Sequence, residues 1–226
     1  VGIAGVSGNG QSELMQLISG EQRFASEQQG DLLFESEAIG HLDPAERRAL
    51  GLNFVPEERL GRGAVPPMPL SDNTLLTGFG RGMVQRQLIA RKEVNAAAKN
   101  CIDAHDVRCG GFSAVAKSLS GGNLQKFIVG RELSMTPKLL VVSQPTWGVD
   151  VGAAANIRRQ LLLLAERGSG VLLVSEELDE LFEITDTLYV AYRGRLSEPM
   201  LTQEVDRLTI GRMMTGLGTT EERAAS

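Results

Sequence analysis

Two glycine-rich segments of this chain have residue types and spacing that suit the binding of phosphate. Residues 5–12 read GVSGNGQS, and residues 119–126 read LSGGNLQK. In a glycine turn, consecutive backbone N–H groups can point at one anion, and the N-terminus of a following helix adds partial positive charge. The sequence therefore predicts two anion sites, whose chemistry depends on the side chains beside these backbone donors.

The first segment follows the phosphate-loop pattern GxxxxGK[ST], except that Gln11 stands where the pattern has lysine. An apolar run at 1–4 predicts a strand before it, and SELMQLISG predicts a helix after it. The candidate phosphate contacts are Gly5, Ser7, Gly8, Asn9, Gly10, Gln11 and Ser12. Ser12 keeps a hydroxyl that can bind Mg²⁺. Because Gln11 offers a dipole and no point charge, we expect weak phosphate binding; taken alone, the loop fits an ordinary glycine turn equally well.

The second segment combines a helix cap with two glycines. Ser120 can cap the helix predicted over NLQKFIVGREL, and Gly121 and Gly122 allow the backbone to approach a phosphate closely. An isolated SGG fits a capped helix with no ligand. Here, however, an apolar strand at 139–142, a turn at Pro145, a helix and a further strand at 171–174 follow in order.

The order of these segments resembles the nucleotide-binding domain of ABC transporters. The matching stretches are GVSGNGQSEL, LSGGNLQK, QPTWGVDVGA and VSEELDEL, and the similarity extends to about Gly216. They are most similar to the second ATP-binding half of the tandem proteins that power import of simple sugars and nucleosides. The resemblance implies an α/β fold: a P-loop NTPase core with a mostly parallel sheet flanked by helices, and an inserted α-helical subdomain carrying the ABC signature.

The domain boundaries follow from this resemblance. We expect the core at 1–70 and 119–216, the helical subdomain at 71–118, and a flexible tail at 217–226. Strands are predicted at 32–34 and 52–55, with a helix between them capped by Asp43, and residues 84–106 are predicted to be helical throughout. Because the chain starts at Val1 inside the first predicted strand, we expect a fragment that lacks the antiparallel strands preceding this point in the family.

The resemblance also implies a loss of catalysis at this chain's own site. In the family, an aspartate and a glutamate end the strand before the PT turn, where they support Mg²⁺ and polarise the attacking water. Here Ser143 and Gln144 stand at these positions and carry no charge. Glu176 replaces the histidine after the next strand, and Glu57 stands where we align the family's glutamine. Together with Gln11, these changes predict weak or absent binding of ATP and Mg²⁺ and no intact catalytic residue.

The signature residues remain, namely Ser120, Gly121, Gly122 and Asn123, together with Asp150 after the PT turn. In the family these groups act across a dimer interface, on the ATP held by the other half. The resemblance therefore implies a competent first half as partner, in the same full-length chain or as a dimer mate. It also implies transmembrane permease subunits, a solute-binding protein acting indirectly, and a peripheral location on the cytoplasmic side of the cell membrane.

Composition agrees with one large α/β domain of a reducing compartment. The chain has 226 residues, 42% of them hydrophobic, and a net charge of −5, which argues against a general nucleic-acid partner. Its two cysteines, Cys101 and Cys109, form no CxxC motif, which favours a reducing cytosol. No apolar stretch has the length of a membrane span, and no secretion signal is visible.

Two alternatives remain open at this point. One is a non-catalytic module that binds nucleotide or only dimerises. The other is a soluble ABC ATPase of translation or DNA repair without a membrane partner, although the basic arms or long coiled coils typical of those classes are not visible. The charged residues 57–59 likewise have two interpretations, a solvated loop or a hinge that senses nucleotide.

Overall fold

The structure, a computed structural model, describes residues 1–217. Its α-helices are α1 Gln11–Ser19, α2 Pro44–Leu50, α3 Leu70–Gly78, α4 Arg91–Ala104, α5 Gly121–Leu133, α6 Val151–Glu166, α7 Leu178–Ile184 and α8 Arg207–Met214. Its strands are β1 Gly2–Ala4, β2 Leu33–Phe34, β3 Glu37–Ala38, β4 Leu52–Val55, β5 Val84–Gln85, β6 Leu88–Ile89, β7 Leu139–Ser143, β8 Gly170–Ser175, β9 Thr187–Tyr192, β10 Arg195–Leu196 and β11 Met200–Leu201.

The chain divides into two compact units. The first consists of Val1–Arg47, Val141–Gln144 and the residues from Val171 onward. Its sheet has the order β10-β9-β1-β8-β7, with β1 parallel to both β8 and β9, while β10 and β11 run antiparallel to β9. β1 is buried along its length, as expected for a short apolar strand in the middle of a parallel sheet. This arrangement places the loop after β1 at the carboxyl edge of the sheet.

The second unit consists of Arg48–Leu140 and Pro145–Gly170. In it α5 packs against α4, α6 and β4, and α4 packs against α3. The face that α5 buries is apolar, with Leu124, Phe127 and Ile128 at most 2% exposed. Its C-terminal end also buries a charge: the Glu132 carboxylate accepts hydrogen bonds from Arg48, Asn53 and Arg131 at 2.6, 3.1 and 3.0 Å. Because three side chains donate to this carboxylate, its charge can be buried at the end of α5.

Several predicted elements are confirmed. The strand at 52–55 is β4, and the predicted strands at 139–142 and 171–174 lie within β7 and β8. Before α2, the Asp43 carboxylate accepts from the Glu46 N–H at 2.9 Å, and the Glu46 carboxylate accepts from the Asp43 N–H at 2.8 Å. These reciprocal bonds form a capping box, so the predicted helix start is correct.

The prediction that residues 84–106 are helical throughout is wrong. β5 and β6 form a hairpin, and its two turn residues, Arg86 and Gln87, have φ of 49° and 66°. α4 starts only at Arg91. A two-residue turn with both residues left-handed is favoured by asparagine and glycine, so the arginine and glutamine at this turn carried no signal for it.

The boundaries of the helical subdomain stay a prediction, and most of the predicted tail, 218–226, lies outside the described residues. Within 71–118 the structure contains most of α3, the hairpin, α4 and a short 3₁₀ turn at Ala116–Ser118. Among residues 1–217, no helix combines the length and the apolar character that crossing a membrane requires.

Candidate functional site

The first glycine segment forms a tight loop between β1 and α1, in the first unit. Gly8 and Gly10 have φ of 86° and 101°, which favour glycine strongly, and Gly10 is the N-cap of α1. The Asn9 side chain holds the loop from outside, since its Oδ1 accepts from the Arg193 N–H and its Nδ2 donates to the Val6 carbonyl, both at 2.9 Å. The loop therefore has the predicted strand–turn–helix context.

The side chain of Gln11 lies across this loop and bonds to it at both ends. Its Oε1 accepts from the Asn9 N–H at 3.1 Å, and its Nε2 donates to the Val6 carbonyl at 3.0 Å. A Cβ placed on Gly5 would lie 2.2 Å from this Nε2, which shows how closely the amide covers the loop. An anion entering the loop would compete with Gln11 for the Asn9 N–H. Ser7 and Ser12 are exposed beside it.

The residues at the end of β7 belong to the same unit and are buried. Ser143 and Gln144 are 6% and 8% exposed, and Gln144 has a φ of 48°. Oε1 of Gln144 accepts from the Glu176 N–H at 3.4 Å, and its own N–H donates to the Val174 carbonyl at 2.9 Å. The amide of Gln144 is thus tied to the end of β8. No group of three or more His, Cys, Asp or Glu suited to a metal ion occurs among the described residues.

The predicted cap of the signature helix is present in the second unit. Ser120 is the N-cap of α5, and its Oγ accepts from the Asn123 N–H at 3.5 Å and from the Asn123 Nδ2 at 2.9 Å. Oδ1 of Asn123 in turn accepts from the backbone N–H of Arg108 at 2.8 Å. A Cβ on Gly122 would meet Val149 at 3.9 Å, an ordinary contact, so the backbone at Gly122 is open to a ligand.

Asp150 caps the next helix and lies near the signature. Its Oδ1 accepts from the Ala153 N–H at 2.9 Å at the start of α6, and this hydrogen bond lowers the pKa of the Asp150 carboxyl. Glu57, in contrast, lies exposed shortly after β4. Trp147, in the turn between β7 and α6, is 58% exposed.

The N-termini of α5 and α6 open into one polar cavity of about 480 Å³. The residues lining it are Asp106, Arg108, Ser120, Gly122, Asn123, Lys126, Asp150, Gly152, Ala153 and Asn156. The Lys126 ammonium pairs with Asp106 at 3.2 Å, while Arg108 is exposed at the same cavity. The lining holds two cations, Arg108 and Lys126, and two carboxylates, Asp106 and Asp150, so its formal side-chain charges balance. The partial positive charge that suits an anion therefore comes from the N-termini of α5 and α6, which meet at this cavity.

Sequence reasoning found only part of this cavity. It identified Ser120, Gly122, Asn123 and Asp150, and the fold brings these residues together. It missed Asp106, Arg108 and Asn156, because none of the three lies in a motif. Lys126 could have been predicted from the sequence, since it is the last residue of LSGGNLQK.

Comparisons with known proteins agree on one family. The family model described as ABC transporter matches residues 1–147. The glucose import ATP-binding protein of Haloferax volcanii is 39% identical over 96% of this chain, and the guanosine import ATP-binding protein of Bacillus subtilis is 35% identical over 96%. A ribose import ATP-binding protein of Rubrobacter xylanophilus is 33% identical over 100%. The chain spans 40%, 42% and 44% of these three relatives' own lengths.

Solved structures show the fold. An ATP-binding cassette in a dimeric post-hydrolysis state, bound to ADP and phosphate, superposes with a TM-score of 0.73 at 18% identity, over 90% of this chain and 85% of that one. A second cassette, from an ABC transporter, gives a TM-score of 0.70 at 22% identity, over 95% and 85% of the two chains. These similarities confirm the predicted α/β P-loop NTPase fold with a mostly parallel sheet flanked by helices.

Proposed function

Because this chain belongs to the ABC transporter family of ATP-binding domains, we propose that it is one of two nucleotide-binding halves of an import ATPase. It is the second, degenerate half, and it offers its signature helix to ATP held by a competent first half. The curated relatives are named for import of glucose, guanosine and ribose, which favours a simple sugar or a nucleoside as the transported solute. The same relationship favours a peripheral position on the cytoplasmic side of the membrane, beside permease subunits.

The observation that carries this proposal is the cavity shared by the N-termini of α5 and α6. Ser120 and Asp150 fix the two helix starts by capping them, so the free backbone N–H groups there are held in place before a ligand arrives. Donors that are already oriented toward developing negative charge lower a reaction barrier effectively, because no reorganisation is needed during the reaction. The open backbone at Gly122 leaves room for a phosphate to approach.

The geometry of the chain's own loop supports the second part of the proposal. Gln11 already uses the Asn9 N–H, so a phosphate gains less from this loop than from one with a free nest of donors. Ser143 and Gln144 supply no carboxylate for Mg²⁺ or for a water molecule. ATP with Mg²⁺ held by the competent half supplies the bond that is hydrolysed, and this chain contributes donors and orientation.

A substitution at Gly122 tests the role in trans. In a mixture of this chain with a competent first half, Gly122→Leu fills the space at the N-terminus of α5, and we expect ATPase turnover to fall by about 100-fold or more. The fold should persist, because the nearest atoms to a Cβ at this position are 3.9 Å away. Arg159→Met on α6 is the control, since Arg159 is exposed and makes no hydrogen bond or ion pair with the described residues.

Two results would contradict the proposal. Clear ATP turnover by this chain alone would show that its own site is competent. Full activity of the mixture with Gly122→Leu would show that the signature is not used in trans. A mixture that binds nucleotide without ever hydrolysing it would favour a non-catalytic module.

A separate experiment tests the membrane partner. Affinity purification of the full-length protein from its native cell should recover proteins with many apolar spans of about twenty residues each. Recovery of ribosomes without such partners would favour a soluble ABC ATPase.

A further inference from the structure

Arg59 lies behind the signature helix and bonds to its buried side. It belongs to a loop after β4 that is closed by hydrogen bonds from the Gly63 N–H to the Glu58 carbonyl at 2.9 Å and from the Ala64 N–H to the Arg59 carbonyl at 2.7 Å. Nε of Arg59 donates to Oε1 of Gln125 at 3.0 Å, and Gln125 is 1% exposed. A constrained loop thus places a guanidinium directly against α5.

Gln125 extends this connection to the turn that follows β7. Its Nε2 donates to the Pro145 carbonyl at 2.9 Å, so one buried amide joins Arg59 to the segment leading to Asp150. The chain of bonds runs from Arg59 through Gln125 to Pro145, entirely within the second unit.

Two glycines make room for the guanidinium. A Cβ on Gly121 would lie 2.8 Å from Nη1 of Arg59, and a Cβ on Gly148 would lie 3.4 Å from Nη2. Gly148 has a φ of 59°, which already favours glycine, but Gly121 is the first residue of α5 and has no such backbone requirement. The absence of a side chain at Gly121 is therefore explained in part by Arg59, in addition to any approach of a phosphate.

The charge of Arg59 is poorly compensated in the free chain. Its Nη2 is buried and has no hydrogen-bond partner among the described residues. Burial lowers the pKa of Arg59, although a guanidinium stays protonated in proteins. The cation also lies at the N-terminus of α5, where the helix dipole disfavours positive charge. An anion at the same helix start offsets both costs.

We propose that Arg59 is a positioning residue for the ATP hydrolysed by the competent half. It holds the signature backbone at Ser120–Gly122 against the turn that leads to Asp150, and it strengthens the positive potential at the start of α5. This inference rests on the proposed function and assigns a role to a residue outside the phosphate-loop and signature motifs.

The test is steady-state ATPase kinetics of the complete transporter with Arg59→Met, Gln125→Met and the double variant. We expect kcat to fall by about tenfold in each single variant, with KM for ATP within about twofold of wild type, because the competent half holds the nucleotide itself. The double variant should be no slower than the slower single variant, since both changes break one connection. Arg59→Lys keeps the charge without the planar guanidinium, so we expect its kcat to lie between those of wild type and Arg59→Met.

Several outcomes would overturn the inference. Wild-type kcat in the Arg59 variants, with turnover abolished by Gly122→Leu, would leave the proposed function standing and reject the role of Arg59. Strictly multiplicative effects of Arg59→Met and Gln125→Met would reject the shared connection. If Arg59→Met lowers the melting temperature, the kcat of Arg59→Lys separates the two parts of the role: full kcat in Arg59→Lys would reject the holding of the signature backbone by the guanidinium, because lysine keeps only the charge. Unchanged turnover with Gly122→Leu would reject both proposals, and Arg159→Met serves again as the control.

Discussion

The amide of Gln11 changes the hydrogen bonding of the first loop as well as its charge. A lysine at this position could donate hydrogen bonds but accept none, so it could not occupy the Asn9 N–H as Oε1 of Gln11 does. The glutamine therefore removes a cation and also consumes a backbone donor. Both effects weaken the binding of phosphate to the loop.

Gln11→Lys should separate binding from hydrolysis. The substitution frees the Asn9 N–H and adds a cation, so we expect the affinity for an ATP analogue to rise by about tenfold or more, equivalent to about 1.4 kcal/mol. Turnover by the isolated chain should stay at background, because Ser143 and Gln144 still supply no carboxylate. Equilibrium binding of a fluorescent ATP analogue and a phosphate-release assay measure the two quantities.

The matched control for this substitution is Gln28→Lys, which adds the same charge at an exposed position in the 3₁₀ turn Ser26–Gln28. It should leave the affinity unchanged. Substantial turnover in Gln11→Lys would mean that the lost carboxylates are not what limits this site.

The two cysteines should differ sharply in reactivity. Burial raises the pKa of the Cys101 thiol to about 12, and its Sγ lies 3.6 Å from the Phe127 carbonyl. At pH 8 only about one molecule in ten thousand then carries the thiolate that reacts. Cys109 is half-buried. We expect a disulfide reagent at pH 8 to titrate one thiol in the folded chain and two after unfolding in guanidinium chloride.

Because the pKa of Cys101 is raised, its thiolate population becomes substantial only as the pH approaches 12. Raising the pH from 7 to 9 should therefore leave Cys101 protected in the folded chain. Cys109→Ser should abolish the fast reaction. A fast reaction that persists in this variant would show that Cys101 is accessible.

Among the helices, the contact between α4 and α5 is unusually close at one point. His105, the C-cap of α4, lies over Gly130 in the middle of α5, and a Cβ on Gly130 would lie 2.3 Å from the His105 ring. Burial of this ring lowers the pKa of His105. Glycine is normally a poor residue inside a helix, so its presence here reflects the packing of the two helices.

Gly130→Ala should destabilise the chain although alanine favours the helix more. The gain in helix propensity is about 1 kcal/mol, and forcing a methyl group into the His105 ring costs about 1–3 kcal/mol beyond that. Urea denaturation followed by circular dichroism measures the free energy of unfolding. Gly211→Ala on α8 is the control, since its nearest neighbour to a Cβ is 3.9 Å away, and it should stabilise by about 0.5–1 kcal/mol. Stabilisation by Gly130→Ala would contradict this account of the contact.

The elements that follow from local sequence are those whose cause is also local. β7 begins with the apolar run 139–142, and β4 is apolar at three of its four positions. The helices after Asp43 and Ser120 each begin after a side chain that bonds to the first turn of the helix. These features can be predicted without knowledge of the rest of the chain. The hairpin at 84–89 cannot, because its turn residues have no intrinsic preference for the left-handed conformation that they adopt.

In the functional site, too, some features follow from local sequence and others depend on tertiary packing. The motif residues at the first loop and the signature could be predicted because their spacing is diagnostic. The placement of Arg59 against Gly121 could not, since the two residues are 62 positions apart and meet only through the packing of the loop after β4 on α5. The bonds of Gln11 to its own loop also depend on side-chain geometry that a sequence pattern does not contain.

For the molecule as a whole, we expect two nucleotide sites of unequal activity in the complete protein. The chain covers about two fifths of its relatives' lengths, which leaves room for a second nucleotide-binding half in the proteins it resembles. With one intact signature facing one competent loop, the complete protein should have one strong hydrolytic site. The other composite site, built on the loop at 5–12, should be weak.

Vanadate trapping of the complete transporter measures this asymmetry. After turnover with a photoreactive ATP analogue, Mg²⁺ and vanadate, we expect the competent half to carry about ten times more label than this half, because trapping requires hydrolysis. Proteolysis and mass spectrometry assign the label to each half. Equal labelling of both halves would contradict the asymmetric assignment.

The loop at 5–12 also bears on how the protein tolerates a changing energy supply. Gln11 and Asn9 complete the loop's hydrogen bonding with groups of the chain itself. A ligand that binds only the folded state stabilises it more as the ligand concentration rises above Kd, so under the proposed function, in which this half scarcely binds nucleotide, we expect nucleotide to add little to its stability. When a starving cell runs low on ATP, we therefore expect this half to keep the shape that it has when ATP is plentiful. In the proposed importer, the signature helix would then be in place for uptake as soon as the competent half binds ATP again.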